Sequence, residues 1–248
     1  MTASLFIAQL LNGLQYGIML FLLAAGLTLV FGIMSFVNLA HGSLYMLGAY
    51  AAAVVGKWHV AGSRPDPEHP AQMGAQYYAG FLTGTLRDYF SWSVTVNGKS
   101  QRESRYSTTA LTQYAIDWIG LQKRPWFLWL AYNAPHAPFH TPPEELHFQS
   151  ALKTGGAKSN RSMYLAAAEA MDSELGRLLA SLPEAVRSNT VVVFMGDNGT
   201  PRQVVQAPYH RSQAKGSLYQ GGINVPMVIA AMSCSPICRS FSFCKLSP

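Results

Sequence analysis

Apolar positions along the chain follow two different patterns. From Leu5 to Met34 the sequence is apolar apart from Gln9, Asn12, Gln15, Tyr16, Thr28 and glycines. These 30 residues are apolar around the whole helical circumference, as in a membrane span and unlike an amphipathic surface helix. At about 1.5 Å per residue such a run exceeds the ~20 residues that cross a hydrocarbon core. The pattern predicts one or two transmembrane helices and membrane contact through residues 5–53. A secretory signal peptide fits less well, since it has a basic start and a shorter apolar core. Beyond Val55 the texture is that of an α/β protein. Ser107–Leu121 reads as an amphipathic helix and Trp126–Ala131 as a buried strand. Arg161–Leu182 reads as a second helix whose apolar face is Tyr164, Ala168, Met171, Leu175, Leu178 and Leu179. Thr190–Met195 is a β-branched strand running into Gly196-Asp-Asn-Gly199. Alternating strands and helices predict a mainly parallel sheet flanked by helices. Ligands of such sheets bind beyond the carboxyl ends of the strands.

Charge divides the chain at the same place. Met1–Gly56 contains no Asp, Glu, Lys or Arg, so the net charge of +6 belongs to the chain from Lys57 onward. Its lysines and arginines are scattered, with no basic run interleaved with aromatics, which argues against nucleic-acid binding. The three cysteines, Cys234, Cys238 and Cys244, lie together near the end and can staple nothing in the body of the chain.

Two segments carry candidate chemistry at strand ends. Asn133-Ala-Pro-His-Ala-Pro-Phe-His140 follows the strand Trp126–Ala131. Prolines on both sides of His136 restrict its backbone and aim its imidazole. Asp197-Asn198 follows Thr190–Met195, and a carboxylate beside an amide oxygen suits a hard cation such as Ca²⁺. Taken alone, Asp-Asn-Gly is also a common tight turn and a lone histidine is often structural.

Residues 34–50 bring in a first resemblance. Asn38, Ala40, His41 and Gly42 form an Asn-x-Ala-His-Gly segment, and Gly48, Ala49 and Tyr50 form a Gly-Ala-Tyr step. With the glycine-bearing apolar run before them, residues 1–54 resemble the start of the permease subunits of branched-chain amino-acid ABC transporters. Small residues at Gly26, Gly32, Gly42 and Gly48 would allow close helix packing. His41 then reads as a polar residue between two spans. The resemblance covers about a fifth of the chain and none of the further spans a transport path needs, so it implies an anchor and not a transporter.

The remainder resembles the sulfatase family of the alkaline-phosphatase-like superfamily. Four segments carry the likeness in order: Gly56-Lys-Trp-His59, Asn133–His140, Asp197-Asn198, and Lys215-Gly-Ser-Leu-Tyr-Gln-Gly-Gly-Ile-Asn-Val-Pro226. Tyr78-Ala-Gly-Phe81 and the Tyr164, Asp172, Gly176 helix add to it. The resemblance implies sulfuric ester hydrolysis as the family activity, with a sulfated small molecule or sugar as partner. It implies that Lys57, His59, His136 and Lys215 contact the sulfate group, with His136, His59 and Lys57 in catalytic roles. It implies Asp197 and Asn198 as ligands of Ca²⁺. The chemistry is coherent: a sulfate ester stays negative through its transition state, and cationic donors stabilise it. Imidazoles change charge near neutrality and can handle the proton of the leaving oxygen. Gln220 stands where the family often has Glu.

Two expected parts have no counterpart before Gly56. Sulfatases convert a Cys or Ser in a Cys/Ser-x-Pro-x-Arg motif to formylglycine, the nucleophile, and complete the metal site with an Asp pair. Here that region is the apolar, permease-like segment, so the nucleophile and half of the Ca²⁺ ligands are absent and catalysis is not expected. Cys234-Ser-Pro-Ile-Cys-Arg239 is a decoy, with its arginine one residue late and its position after Lys215. The expected organisation is a membrane segment 1–54, a partial sulfatase domain 55–230 and a Ser/Cys-rich tail 231–248. Lys57 following the apolar run points to a cytoplasmic side for the soluble part, whereas the family points outside the cytoplasm. Two other readings stay open: a permease fragment, and a non-catalytic protein that binds anions or sulfated glycans.

Overall fold

The structure is a computed structural model that describes residues 51–62, 65–149, 152 and 158–231. Most of the expected membrane segment, and the tail from 232, lie outside the described residues. Among the described residues no helix is long and apolar enough to cross a membrane. The chain divides between Ala51 and Ala52, and the second unit carries the sheets and the pocket.

Strand β1, Ala52–Lys57, opens this unit, so Ala52 and Ala53 belong to a strand and not to the end of a span. Ala52, Ala53, Val54 and Val55 are all buried, the mark of a strand covered on both faces. It pairs in parallel with β2, Tyr77–Phe81, on one side and with β5, Phe127–Ala131, on the other. Strands β3, Trp92–Val96, and β4, Lys99–Glu103, extend the β2 side as an antiparallel hairpin. The five-stranded order is β4-β3-β2-β1-β5. The expected mainly parallel sheet is therefore mixed. Its antiparallel part turns at Asn97-Gly98, both at positive φ, the pairing that tight hairpin turns favour.

Strands β6, Val191–Met195, and β7, Met227–Ala231, form a separate antiparallel pair. Ala231 thus closes a strand instead of opening the tail. No strand pairing joins the two sheets among the described residues.

Helices connect these strands. The two long ones are α2, Ser107–Gly120, and α3, Asn160–Ser181. The short ones are α1, His69–Gln72, α4, Glu184–Arg187, and α5, Gln220–Ile223. Helix α3 starts at a capping box in which the Ser159 hydroxyl accepts from the Ser162 amide at 3.0 Å. Its buried face is Ala166, Ala167, Ala170, Glu174, Leu178 and Leu179. This is rotated from the expected face, leaving Tyr164, Ala168, Met171 and Leu175 half-buried. The rotation brings Glu174 inward, where it meets α2. Thr109 donates to it at 2.8 Å, and Arg177 donates to it at 2.7 Å while also reaching the Thr109 carbonyl at 3.1 Å.

Glycine has a steric reason at one place in the sheet. Gly56 and Gly80 are partners across β1 and β2. A Cβ on Gly80 would sit on the Gly56 carbonyl oxygen, and one on Gly56 would sit on the Ala131 carbonyl oxygen. The three strands close up at the end that carries the site.

Candidate functional site

Lys57 is the last residue of β1. Trp58 anchors the turn beyond it: Trp58 is buried, its amide donates to the Phe81 carbonyl at 3.1 Å, and its indole N–H donates to His69 Nδ1 at 2.9 Å. With Trp58 held in the interior, Lys57 and His59 line the pocket outside it. His59 has φ of 41°, and its ring lies so close to Gly84 that a Cβ there would meet Nε2 at 2.5 Å.

His136 arrives from the loop after β5, between two cis-proline bonds at Ala134-Pro135 and Ala137-Pro138. Nδ1 lies 2.7 Å from the Ala137 carbonyl oxygen, which can only accept, so Nδ1 carries the proton there. Nε2 is then the nitrogen left for a ligand. The loop is fastened from below by Tyr89, whose buried hydroxyl donates to the His136 carbonyl at 2.7 Å and accepts from Asn133 Nδ2 at 2.7 Å. Thr85 fastens it from the side by donating to the Ala137 carbonyl at 3.0 Å.

The opposite wall comes from β6. Asp197 and Asn198 lie just past its end, and the Lys215 amide donates to the Thr200 carbonyl at 3.0 Å. The double glycine Gly221-Gly222 packs under this turn: the Gly199 amide donates to the Gly222 carbonyl at 2.9 Å, and a Cβ on Gly199 would strike the Gly221 carbonyl. Helix α3 reaches both walls. Tyr164 packs edge-on against Phe139 of the His136 loop, and Arg161 donates to the Val204 carbonyl, in the loop after β6, at 3.4 Å.

All six residues singled out in the sequence, Lys57, His59, His136, Asp197, Asn198 and Lys215, line one pocket of about 560 Å³. Gly84 and Thr85 complete it. Neither was legible: a glycine and a threonine in a loop carry no chemical signature, and only the nearby Gly-Phe of Tyr78–Phe81 hinted at the region. Lysines outnumber carboxylates here. Burial holds the Lys57 ammonium below its ordinary range, with Lys215 pushing the same way and Asp197 opposing both. A dianionic or monoanionic group entering the pocket would meet Lys57, Lys215 and two imidazoles.

Among the described residues the pocket does not complete a Ca²⁺ site. Asp197 and Asn198 offer two oxygen-bearing side chains, while Ca²⁺ takes about six to eight oxygens. Among the described residues no group of three or more His, Cys, Asp or Glu could hold a metal ion.

The mixed sheet, with its pocket at the strand ends, defines an α/β protein. Comparison with known proteins narrows the class. The sulfatase family model matches residues 45–233, and the chain belongs to the sulfatase family. It is 29% identical over 213 residues to an uncharacterized sulfatase, YdeN, of Escherichia coli (strain K12), covering 74% of this chain and 37% of that protein. It is 26% identical over 208 residues to the N-acetylgalactosamine-6-sulfatase of Canis lupus familiaris, covering 72% of this chain and 37% of that one. Among solved structures it is similar to Ps i-CgsB in complex with k-i-k-neocarrahexaose, at 30% identity and a TM-score of 0.64, over 76% of this chain and 46% of that one. The chain therefore spans under half the length of these relatives. Its first part is similar to the branched-chain amino-acid permease BraD of Pseudomonas aeruginosa, 45% identical over 49 residues, which is 20% of this chain and 16% of the permease.

Proposed function

We propose that the pocket binds the sulfate group of a sulfated sugar or small molecule, and that the chain as it stands does not hydrolyse it. The observation that carries the reading is the gathering of Lys57, Lys215, His59 and His136 around one pocket that holds a single carboxylate, Asp197. Lys57 and Lys215 supply charge, which in a partly desolvated site favours a bound sulfate. His59 and His136 supply hydrogen bonds, and His136 Nε2 is oriented to reach the bridging oxygen. Asn198 and Thr85 add neutral polar groups. The sugar part of the reading is supported by the hexaose complex of Ps i-CgsB and by the name of the N-acetylgalactosamine-6-sulfatase.

Hydrolysis in the family needs formylglycine. No Cys/Ser-x-Pro-x-Arg motif lies before Lys57 in this sequence, and Cys234, Cys238 and Cys244 all follow the last pocket residue. Without a nucleophile the pocket can hold and polarise a sulfate ester but cannot displace its alcohol. The apolar run within residues 5–50 anchors the protein to a membrane, with the pocket outside the cytoplasm as in the family. The partial match to a permease, over 20% of the chain, supports the anchor.

Calorimetric titration of the full chain in detergent with galactosamine 6-sulfate and with unsulfated galactosamine tests the reading. Binding of the sulfated sugar alone is expected, weakened about tenfold by Lys57→Ala and by Lys215→Ala, or roughly 1.4 kcal/mol each. Equal binding of both sugars would refute sulfate recognition. Release of sulfate from an aryl sulfate, abolished by His136→Ala, would refute the lack of turnover.

A further inference from the structure

The parallel strands β1, β2 and β5 start side by side, and their register fixes what stands at that end. Ala52 pairs with Phe127 and Ala53 with Tyr77, so Ala51 lies alongside Trp126 and Ala52 alongside Gln76. The Ala52 amide donates to the Gln76 side chain at 3.3 Å. The turn from α2 into β5 borders the same end. Its Leu121 is 76% exposed, Lys123 and Arg124 are exposed too, and neither cation has an ion-pair partner among the described residues. No Asp or Glu stands between Asp117 and Glu144 in the sequence, and Asp117 accepts from Gln113, one turn back along α2, at 2.8 Å. Glu68 lies against Gly98 at the hairpin turn, across β1 and β2 from Trp126. Behind the turn, Trp126 meets Trp118 edge-on with ring centroids 6.4 Å apart, and Trp118 stacks on Tyr77 at 6.1 Å.

We propose that this end of the unit rests on the surface of an anionic lipid bilayer, with Leu121 and Trp126 at the headgroup boundary and Lys123 and Arg124 on the lipid phosphates. The contact rests on the reading of the apolar run as an anchor, beside which it is a second hold on the membrane. Three observations meet at one place. The apolar stretch ends at residue 50, next to Ala51, so an anchored run keeps the start of β1 close to the bilayer. An indole ring beside an exposed leucine suits a membrane interface, where one side of the ring is apolar and the other wet. Lysine and arginine without carboxylate partners gain from the negative potential of an anionic leaflet, within about a Debye length of it. The placement also orients the pocket. Lys57 closes the six-residue strand β1 at its other end, about 17 Å along, so the pocket opens away from the bilayer and stays accessible to ligands in solution.

Quenching of a single fluorescent label by spin-labelled lipid tests the contact. In the full chain with Cys234, Cys238 and Cys244 changed to serine, a nitrobenzoxadiazole label is placed by Leu121→Cys or, three residues after Lys215, by Leu218→Cys, which is also an exposed position. Vesicles of phosphatidylcholine and phosphatidylglycerol in equal parts carry a doxyl quencher near the headgroups, at low salt. Quenching is expected at position 121 and not at 218. Lys123→Ser with Arg124→Ser should lower it at least twofold, and so should pure phosphatidylcholine vesicles with both cations in place. Equal quenching at the two positions would overturn the contact. Quenching at 121 indifferent to lipid charge and to both cations would overturn its anionic partner. Flotation of the same chain with pure phosphatidylcholine vesicles reads the anchor by itself. A chain that fails to float has no anchor, while the contrast between 121 and 218 on phosphatidylglycerol vesicles still decides the surface contact.

Discussion

His140 closes the motif that carries His136, and its surroundings set a pH response of their own. It stacks on Tyr89 with ring centroids 3.8 Å apart. The Tyr106 hydroxyl lies 2.9 Å from Nε2 and the Pro138 carbonyl 3.1 Å from Nδ1, so the neutral ring donates at Nδ1 and accepts at Nε2. Burial lowers its pKa from the ordinary 6.5, against smaller opposing effects of Pro138 and Asp88. A depressed folded-state pKa means that the unfolded chain binds more protons through that range. The stabilisation is therefore complete above about pH 6.5 and is lost as pH falls through the lower folded value. Urea melts at pH 7.5 and 5.5 should show this loss, and His140→Gln should flatten it. The charged and imidazole residues of the pocket could be read from sequence because four ordered motifs of a family resemblance carry them; taken alone, Asp197-Asn198 reads as a turn and His136 as structural. Tyr89, Asn133, Gly84 and Thr85 could not, since their roles exist only through contacts with residues distant in sequence.

At the level of elements, the two long helices were legible to within a residue or so at each end, because their apolar periodicity is local. The face that α3 buries was not. Its choice depends on Glu174, which periodicity places among polar residues but which Thr109 and Arg177 satisfy against α2. Arg177→Ala should leave that carboxylate buried with one hydroxyl donor, costing about 2 kcal/mol in denaturant unfolding. The hairpin of β3 and β4 was overlooked although Asn97-Gly98 marks it. Strand β4, Lys-Ser-Gln-Arg-Glu, has no apolar alternation to announce a strand. Its one buried residue, Glu103, is held by Arg105, which brings the carboxyl down to about 2. The contact of Gly80 with the Gly56 carbonyl is likewise invisible in one dimension. Gly80→Ala should force β1 and β2 apart and cost roughly 3 kcal/mol or more, measured by the same unfolding experiment.

For the molecule as a whole, the fold class was legible and the mixed character of the sheet was not, since strand direction follows from long-range pairing. The pocket has one wall on the five-stranded sheet and the other on β6 and its loops, with no ladder of backbone hydrogen bonds between the two sheets among the described residues. That separation has a consequence for cooperativity. Within one compact unit, two sheets without a shared ladder can melt as two events, the β6 and β7 pair at the lower temperature. An anion gripped by Lys57 on one wall and Lys215 on the other couples them. At a concentration a hundred times its dissociation constant, such a ligand adds about 2.7 kcal/mol to the state that holds both walls together. Scanning calorimetry should then show two transitions in chloride converging toward one in sulfate at equal ionic strength, with Lys215→Ala keeping them apart.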